Sequence, residues 1–207
     1  MTPRSPEASR AVREHTAEGI LAAAAKVFAR RGYAGTKVAD IAAEAGVSSG
    51  LVHHYFETKA EVFRTLIEQL MSAATTTPRE ALERGGSPLE NLRWMGQQML
   101  QGATYASEYY MLALQVQMSE AVPEDIRATV VESGAEGMAL MIQVVERAQR
   151  AGKIRSGDPA ALMVHLMGAV QGLALQVFSA GPEAIAPDVD VVLGMLSRVA
   201  KSEGGVS

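Results

Sequence analysis

The sequence predicts an all-α protein with a small three-helix N-terminal part and a larger helical C-terminal part. Of its 207 residues, 48% are hydrophobic and 20% are charged, which is the composition of a folded globule. The apolar residues recur every three or four positions and there are only eight prolines, which favours helices over strands. The absence of cysteine excludes a disulfide scaffold, a cysteine-ligated zinc site and a thiol nucleophile.

The N-terminal segment predicts a mobile arm followed by a first helix. Residues 1–14 carry prolines, serines and three arginines with few apolar residues, which fits either a solvated tail or a basic arm that contacts a polyanion. From Thr16 onward, an apolar stripe that includes Ile20, Ala24 and Phe28 indicates an amphipathic helix, which Gly32 should end.

Two short helices should follow. Thr36 can cap the first, with Val38 and Ile41 facing inward, and Gly46 can end it in a left-handed conformation. Ser48 can cap the second. In that helix the pattern predicts buried and outward positions in turn: Val52 and Phe56 inside, and Leu51, His53 and His54 outside.

The remaining helices are delimited by capping residues, prolines and glycines. Thr58 should open a fourth helix through about Thr76, before Pro78 and the Gly85-Gly86 pair interrupt the chain. Ser87 with Glu90 forms a capping box that restarts a helix toward Tyr105. Further helices are predicted over residues 107–120, 123–151, 159–178 and 189–200, with a loop containing Gly181, Pro182 and Pro187 before the last.

The joint Ala45-Gly46-Val47 between two short helices is a helix-turn-helix pattern. The charge distribution agrees: residues 1–67 hold nine Lys and Arg against seven Asp and Glu, whereas the remaining 140 hold ten against sixteen. Reading of DNA by such a motif requires small or polar side chains at the start of the second helix. The candidates are Ser48, Ser49, Gly50 and Leu51, the last placed to meet a thymine methyl.

Residues Ile20 to Phe63 contain an Ile-Leu-x-Ala-Ala start, a Phe followed four residues later by Gly-Tyr, and the motifs Thr-x-x-x-x-Ile-Ala, Ala-Gly-Val-Ser and Phe-x-x-Lys-x-x-x-Phe. These motifs are the basis of a resemblance to the N-terminal domain of the TetR family of transcriptional regulators. It implies a DNA-binding head over residues 12–60 and a ligand-binding and dimerisation domain over 61–207. It also implies further residues on the DNA surface: Thr36, Lys37, His53, His54, Tyr55 and Lys59, with Thr36 and Lys59 as phosphate clamps.

The two adjacent histidines depart from the family pattern, which usually has Tyr at the position of His53 and often His at that of Tyr55. If His53 or His54 lies on a phosphate, the negative charge favours the protonated ring. Operator binding should then strengthen as the pH falls from 8 to 6 at fixed salt. Metal binding by the pair is not expected, because neighbouring residues point about 100° apart on a helix.

The C-terminal part predicts an apolar effector site. All methionines except Met1 lie at position 71 or later, and methionine adapts to irregular space. The candidate ligand residues are Trp94, Gln98, Tyr109, Tyr110, Met138, Met141 and His165, with Met95, Met99 and Gln115 as further candidates. The alternative is a methionine-rich core with a buried, hydrogen-bonded His165. No cofactor and no metal is expected.

The segment from Pro159 to Phe178 predicts a subunit interface. It has no single polar face, so one side of this helix should pack against its own domain and the other side against a partner subunit. Gly168 and Gly172 suit close helix contact, and His165, Gln171 and Gln176 argue against membrane insertion. The family resemblance implies that this helix and residues 189–200 form a four-helix interface between two copies.

The sequence therefore predicts a cytoplasmic repressor that binds a palindromic DNA operator as a homodimer and is released by a small apolar or amphipathic effector. We expect the fourth helix, Thr58 to about Thr76, to be the moving part, since it alone would connect head and body. One alternative is a helical enzyme or small-molecule carrier with an incidental helix-turn-helix, and another is a DNA-binding protein without a ligand. Enzyme chemistry has little support, because the sequence holds no Gly-rich phosphate loop, His-Glu-x-x-His motif or Gly-x-Ser-x-Gly elbow.

Overall fold

The structure, a computed structural model, describes residues 6–181, 183 and 188–194. Over these residues it contains helices and no strand, which confirms the all-α prediction. The helices are α1 (Pro6–Gly35), α2 (Val38–Ala45), α3 (Ser49–Tyr55), α4 (Lys59–Glu83), α5 (Pro88–Tyr105), α6 (Ser107–Met118), α7 (Glu124–Arg150), α8 (Pro159–Ala180) and α9 (Val189–Gly194).

The chain divides into two compact units. Unit 1 comprises the chain up to Ser72 and residues Glu108–Glu132, and unit 2 comprises Ala73–Ser107 and the chain from Ser133. Unit 1 thus adds the first part of α4, α6 and the first turns of α7 to the three predicted head helices. The chain passes between the units three times, so the expectation that the fourth helix alone connects them is wrong. The boundary at residue 60 stays a prediction.

The core of unit 1 explains why a segment distant in sequence belongs to it. Leu112 and Val116 of α6 and Ile126 of α7 are buried in the same apolar cluster as Ile20 and Phe28 of α1. Burial of each such side chain stabilises the fold by roughly 1.5–3 kcal/mol. The side-chain amide of Gln115 adds two hydrogen bonds of 2.9 Å each to the Phe28 and Ala29 carbonyl oxygens.

The first helix begins earlier than predicted. Residues 6–14 are helical, so the mobile arm expected over residues 1–14 is wrong for this stretch, and residues 1–5 lie outside the described part. Proline is tolerated in a first turn, and the Glu, Ala and Arg residues that follow Pro6 are good helix formers. The predicted stop holds, because Gly32 breaks the helix with φ 71° and ψ 168°.

The fourth helix continues beyond its predicted end. α4 runs through Pro78 to Glu83, whereas proline was expected to interrupt the chain there. A proline inside a helix loses one hydrogen bond, but Pro78 is buried, as is Ala81 in the next turn, and this packing offsets the loss.

The other predicted boundaries agree with the structure. Ser87 and Glu90 form the capping box of α5, with hydrogen bonds of 3.3 and 2.7 Å. Gly152 follows α7 with φ 67°, and Asp158 caps α8 through a 3.0 Å hydrogen bond from the Ala160 amide. Of the predicted last helix, residues 189–194 are helical, while 195–200 and the loop prolines Pro182 and Pro187 lie outside the described residues.

Candidate nucleic-acid interface

The start of α2 differs from the sequence prediction. Lys37, not Thr36, is the N-cap, and its backbone N–H donates to Asp40 Oδ2 at 2.9 Å. The Thr36 side chain is only 1% exposed, and its hydroxyl donates to the Gly32 carbonyl oxygen at 2.7 Å. The predicted phosphate clamp at Thr36 therefore needs correction: this side chain satisfies the carbonyl at the break in α1 and is not presented at the surface.

The turn between α2 and α3 has the geometry that a helix-turn-helix needs. Gly46 adopts φ 67° and ψ 28°, a left-handed conformation in which glycine carries little strain. The Val47 amide then donates to the Ala42 carbonyl oxygen at 2.9 Å. Ser48 caps α3 as predicted, with its Oγ accepting from the Leu51 amide at 3.1 Å.

One side of α3 is fully packed and the other is open. Val52 is completely buried, and Phe56 just after the helix is buried too, so the helix is fixed on the head. The exposed residues are Ser48, Ser49, Gly50, His53 and His54, while Leu51 and Tyr55 are half-buried. The predicted positions are therefore confirmed for Val52 and Phe56 inside and for His53 and His54 outside, whereas Leu51, predicted outside, is half-buried. The face combines small hydroxyl-bearing residues with two imidazoles, which can donate hydrogen bonds to base edges and phosphate oxygens.

The aromatic end of α3 forms a small cluster. The rings of His54 and Tyr55 meet edge to face with centroids 5.4 Å apart, and the Arg13 guanidinium lies over the Tyr55 ring at 5.8 Å. His53 Nδ1 lies 3.2 Å from the Glu57 carbonyl oxygen, which orients its ring along the helix. Arg13 was not among the predicted site residues.

Lys59 has a structural partner that the sequence pattern does not reveal. Its Nζ donates to the Tyr33 carbonyl oxygen at 2.8 Å and lies 4.4 Å from the centre of the Tyr33 ring. Tyr33 in turn contacts the Phe63 ring with centroids 5.0 Å apart. Lys59 therefore anchors the end of α1 to the start of α4, and its predicted phosphate contact stays a prediction.

Two ion pairs hold elements of unit 1 together near this surface. Arg31 pairs with Asp40 at 2.6 Å; the backbone hydrogen bond from Lys37, with help from this guanidinium, lowers the pKa of Asp40. Arg64 of α4 pairs with Asp125 of α7 at 2.5 Å, which lowers the Asp125 pKa. Because the side chains of both pairs are at least partly exposed, each pair contributes little to stability and mainly fixes the relative positions of the elements that it joins.

The predicted effector residues are divided between the units. Tyr109, Tyr110 and Gln115 belong to unit 1, and the other candidates to unit 2. Burial raises the pKa of Tyr110 to about 12, and the Tyr109 hydroxyl donates to Gln69 Oε1 at 3.4 Å. In unit 2 Met141, Met95 and Met99 are buried, while Gln98 and Met138 are half-buried. Trp94 is half-buried beneath the Arg84 guanidinium, 4.7 Å from its ring centre.

His165 is exposed, so the alternative of a buried histidine is wrong. Its Nδ1 lies 2.6 Å from the Ala161 carbonyl oxygen of the preceding turn, and the exposed side of α8 leaves its ring in solvent. With Arg155 and Asp158 it lines a pocket of about 280 Å³ in unit 2. Across the described part of the chain, no group of three His, Asp or Glu residues could hold a metal ion.

The comparisons with known proteins agree with this geometry. Residues 20–66 match the family model described as bacterial regulatory proteins, tetR family. The regulator CymR of Pseudomonas putida is 38% identical over 85 residues, which cover 41% of either chain. The repressor KstR2 of Mycolicibacterium smegmatis is 32% identical over 91 residues, 44% of this chain and 41% of that protein. The similarity thus spans about two fifths of the length of these relatives.

Solved structures extend the likeness of fold beyond the matched domain. The ketosteroid regulator KstR2 of Mycobacterium tuberculosis superposes with a TM-score of 0.71 at 18% identity, covering 88% of this chain and 95% of that one. AibR, solved with isovaleryl coenzyme A and operator DNA, gives 0.65 at 18% identity, covering 87% and 96%. The relatives carry the names of transcriptional regulators, in agreement with the prediction of a non-enzyme. The helix-turn-helix and these matches together show that residues 20–66 form a domain of the kind described as bacterial regulatory proteins, tetR family.

Proposed function

We propose that this protein is a ligand-responsive transcriptional repressor that binds a palindromic operator as a homodimer in the cytoplasm. The observation that carries the proposal is the open face of α3. Its residues Ser49, Gly50, His53 and His54 are exposed, while Val52 on the opposite side is completely buried. A rigidly packed helix with an exposed polar face is what entry into a major groove requires.

The DNA contacts follow from the positions of the side chains. Ser48, Ser49, Gly50 and Leu51 at the start of α3 would meet the base edges, where Gly50 lets the backbone approach closely. The hydrogen-bond donors that lie away from the start of α3 would bind backbone phosphates: Lys37, His53, His54, Tyr55 and Lys59. Thr36 contributes by shaping the turn before α2, because its own hydroxyl is already bonded to Gly32.

The exposed side of α8 supports a dimer. Val164 and Leu175 are 60% and 49% exposed although they belong to an apolar helix whose other side is buried. A Cβ added at Gly168 or Gly172 meets nothing within 4 Å among the described residues of its own chain. A second copy of α8 can approach this small-residue face closely, and the described part of α9 adds the exposed Val191. By length and composition α8 could also cross a membrane, but a dimer accounts for the same face.

The effector proposal rests on unit 2. Its methionines and Trp94 supply adaptable apolar surface for a small apolar or amphipathic molecule. AibR was solved with an acyl coenzyme A and operator DNA, so one protein of this fold holds both kinds of ligand. An effector would release DNA by favouring the conformer in which the two DNA-binding heads are wrongly spaced for the operator. The coupling free energy between effector binding and DNA binding is typically ~1–3 kcal/mol.

Selection of bound genomic fragments tests DNA binding, and two matched variants test the interface. Gly50→Glu adds a carboxylate to the exposed start of α3, where a Cβ lies no closer than 3.9 Å to Ser48 Oγ. Gly19→Glu makes the same change on α1, where a Cβ meets nothing within 4 Å. Because like charges facing one another cost several kcal/mol, Gly50→Glu should weaken operator binding by roughly a hundredfold or more. Equal effects of the two variants would contradict the interface.

Sedimentation velocity tests the dimer. Gly172→Glu places a charge on the open face of α8 and should convert dimers to monomers. Ala128→Glu, exposed on α7, adds the same charge elsewhere and should leave the dimer intact. A monomeric parent protein, or a dimer that Gly172→Glu does not weaken, would contradict the proposed interface. The effector is sought by thermal shift, since a ligand of the folded state raises its melting temperature.

A further inference from the structure

We infer that the N-terminal extension of α1 forms a second DNA contact, in which Arg13 and Arg10 bind backbone phosphates beside the α3 contact. The inference rests on the proposed function and names residues that neither the helix-turn-helix pattern nor the matched residues 20–66 include. It starts from the finding that residues 6–14 are helical, which gives these two arginines fixed positions relative to α3.

The two arginines continue the face of α1 that packs on the core. Ile20 and Ala24 are buried on this face, and Ala17 packs against the same cluster one turn earlier. At about 100° per residue, Arg13 falls within the arc that these residues define, and Arg10 lies about 20° beyond its edge at Ala17. Both side chains are exposed, so this face of α1 is apolar where it packs on the core and basic where it extends beyond the core toward the N-terminus.

The end of α3 is the neighbour of this basic stripe. The Arg13 guanidinium lies over the Tyr55 ring, 5.8 Å from its centre, and Tyr55 touches the exposed His54 edge to face. Tyr55 and His54 are in the last turn of α3. When the start of a recognition helix lies in the groove, its last turn and flanks lie near the sugar-phosphate backbone. In such a complex Arg13 therefore lies beside the phosphate groups of the DNA backbone and not beside the base edges.

The charge of the stripe is not neutralised by the protein. Arg31 and Arg64 each pair with an aspartate, at 2.6 and 2.5 Å. Within residues 6–181, 183 and 188–194, by contrast, neither Arg10 nor Arg13 forms an ion pair. Glu14 and Glu18 lie about 100° or more around the helix from Arg13. Glu14 lies one turn from Arg10 and about 40° around the helix from it, but the two side chains form no ion pair in the described part of the chain. A guanidinium held in place by an aromatic ring, with its donors free, suits a bidentate phosphate contact.

The salt dependence of operator binding tests the inference. Each phosphate contact adds about 0.9 to the slope of log affinity against log salt. The variant Arg10→Gln/Arg13→Gln should therefore lower the slope by about 1.8, which at 0.1 M salt corresponds to about an eightfold loss of affinity for each contact. The control Arg150→Gln/Arg155→Gln removes the same charge from exposed positions of unit 2 and should leave the slope unchanged.

Two further measurements separate a phosphate contact from other roles. Because phosphate contacts carry no sequence information, the double variant should lose affinity equally for operator and random duplex. Arg13→Lys keeps the charge and should retain most of the slope. A loss of affinity with an unchanged slope would mean that Arg13 only positions Tyr55, and this would overturn the inference. An unchanged double variant would overturn it too, whereas a parent protein that binds no duplex would refute the proposed function itself.

Discussion

Two glycines of α7 should respond in opposite directions to the same substitution. Gly134 and Gly137 lie one turn apart in the same helix. A Cβ added at Gly137 would lie 2.8 Å from the Ala74 carbonyl oxygen and 3.3 Å from its carbonyl carbon, both in the backbone of α4. A Cβ added at Gly134 meets nothing within 4 Å in the part of the chain that the structure describes. Gly137 therefore marks a close approach of two helices within unit 2, and Gly134 does not.

The magnitudes follow from this difference. Replacing a helical glycine by alanine stabilises a helix by about 0.5–1 kcal/mol, because alanine loses less backbone entropy on folding. At Gly134 this gain should appear in full. At Gly137 the new methyl cannot be accommodated by a side-chain rotation, since a backbone carbonyl blocks it, and overpacking costs about 1–3 kcal/mol. We expect Gly137→Ala to lower the free energy of unfolding by about 1–2 kcal/mol, and Gly134→Ala to raise it.

Urea denaturation followed by circular dichroism measures both changes. All samples must have the same protein concentration, because a dimer couples stability to concentration. For a chain of this length, 1 kcal/mol corresponds to a shift of about 2–4 °C in Tm, so thermal melts provide an independent check. Equal stabilisation by both substitutions would refute the reasoning, since it would mean that α4 and α7 do not approach closely at Gly137.

Three other predictions concern single side chains. Thr36→Val removes the hydroxyl that bonds to the Gly32 carbonyl and should cost about 1–3 kcal/mol in urea denaturation, while an unchanged stability with weaker DNA binding would restore the phosphate role. The lowered pKa of Asp40 means that its carboxylate stabilises the fold above the ordinary carboxyl pKa of about 4 and loses this effect as the pH falls; Asp40→Asn should therefore flatten the acid side of the stability profile. Because burial raises the pKa of Tyr110, its neutral phenol stabilises the fold fully below about pH 10 and progressively less as the pH rises toward 12. The phenolate absorbance that the parent protein gains with pH, minus that of Tyr110→Phe, should have its midpoint near 12. A midpoint near 10 would contradict the burial of this side chain.

Much of the helical architecture could be predicted because its signals are local. Ser48, Ser87 and Asp158 cap their helices as expected, since a short polar side chain satisfies backbone N–H groups only a few residues away. Gly46 and Gly152 adopt positive φ as expected, because a left-handed residue at a helix end favours glycine whatever surrounds it. The periodicity also separated buried Val52 from its exposed neighbours.

What the sequence did not reveal concerns residues whose partners are distant along the chain. The ammonium group of Lys59 bonds to the Tyr33 carbonyl 26 residues away, a contact that its spacing in the motif does not indicate, and its phosphate contact stays a prediction. Pro78 was expected to end a helix, yet α4 continues through it to Glu83, where Pro78 and Ala81 are buried. The effector residues could not be grouped, because helical spacing says which side chains share a face but not which faces meet.

The sequence by itself determined the all-α class, the helix-turn-helix and the residues at the outer face of α3, because short-range hydrogen bonding and periodic burial decide those features. Only the tertiary structure assigned α6 to the unit that carries α3, through Leu112, Val116 and the Gln115 amide. It alone distinguished Gly134 from Gly137, and it placed Arg13 over Tyr55. Each of these depends on which distant surfaces pack together, and that is set by the shape complementarity of the whole core.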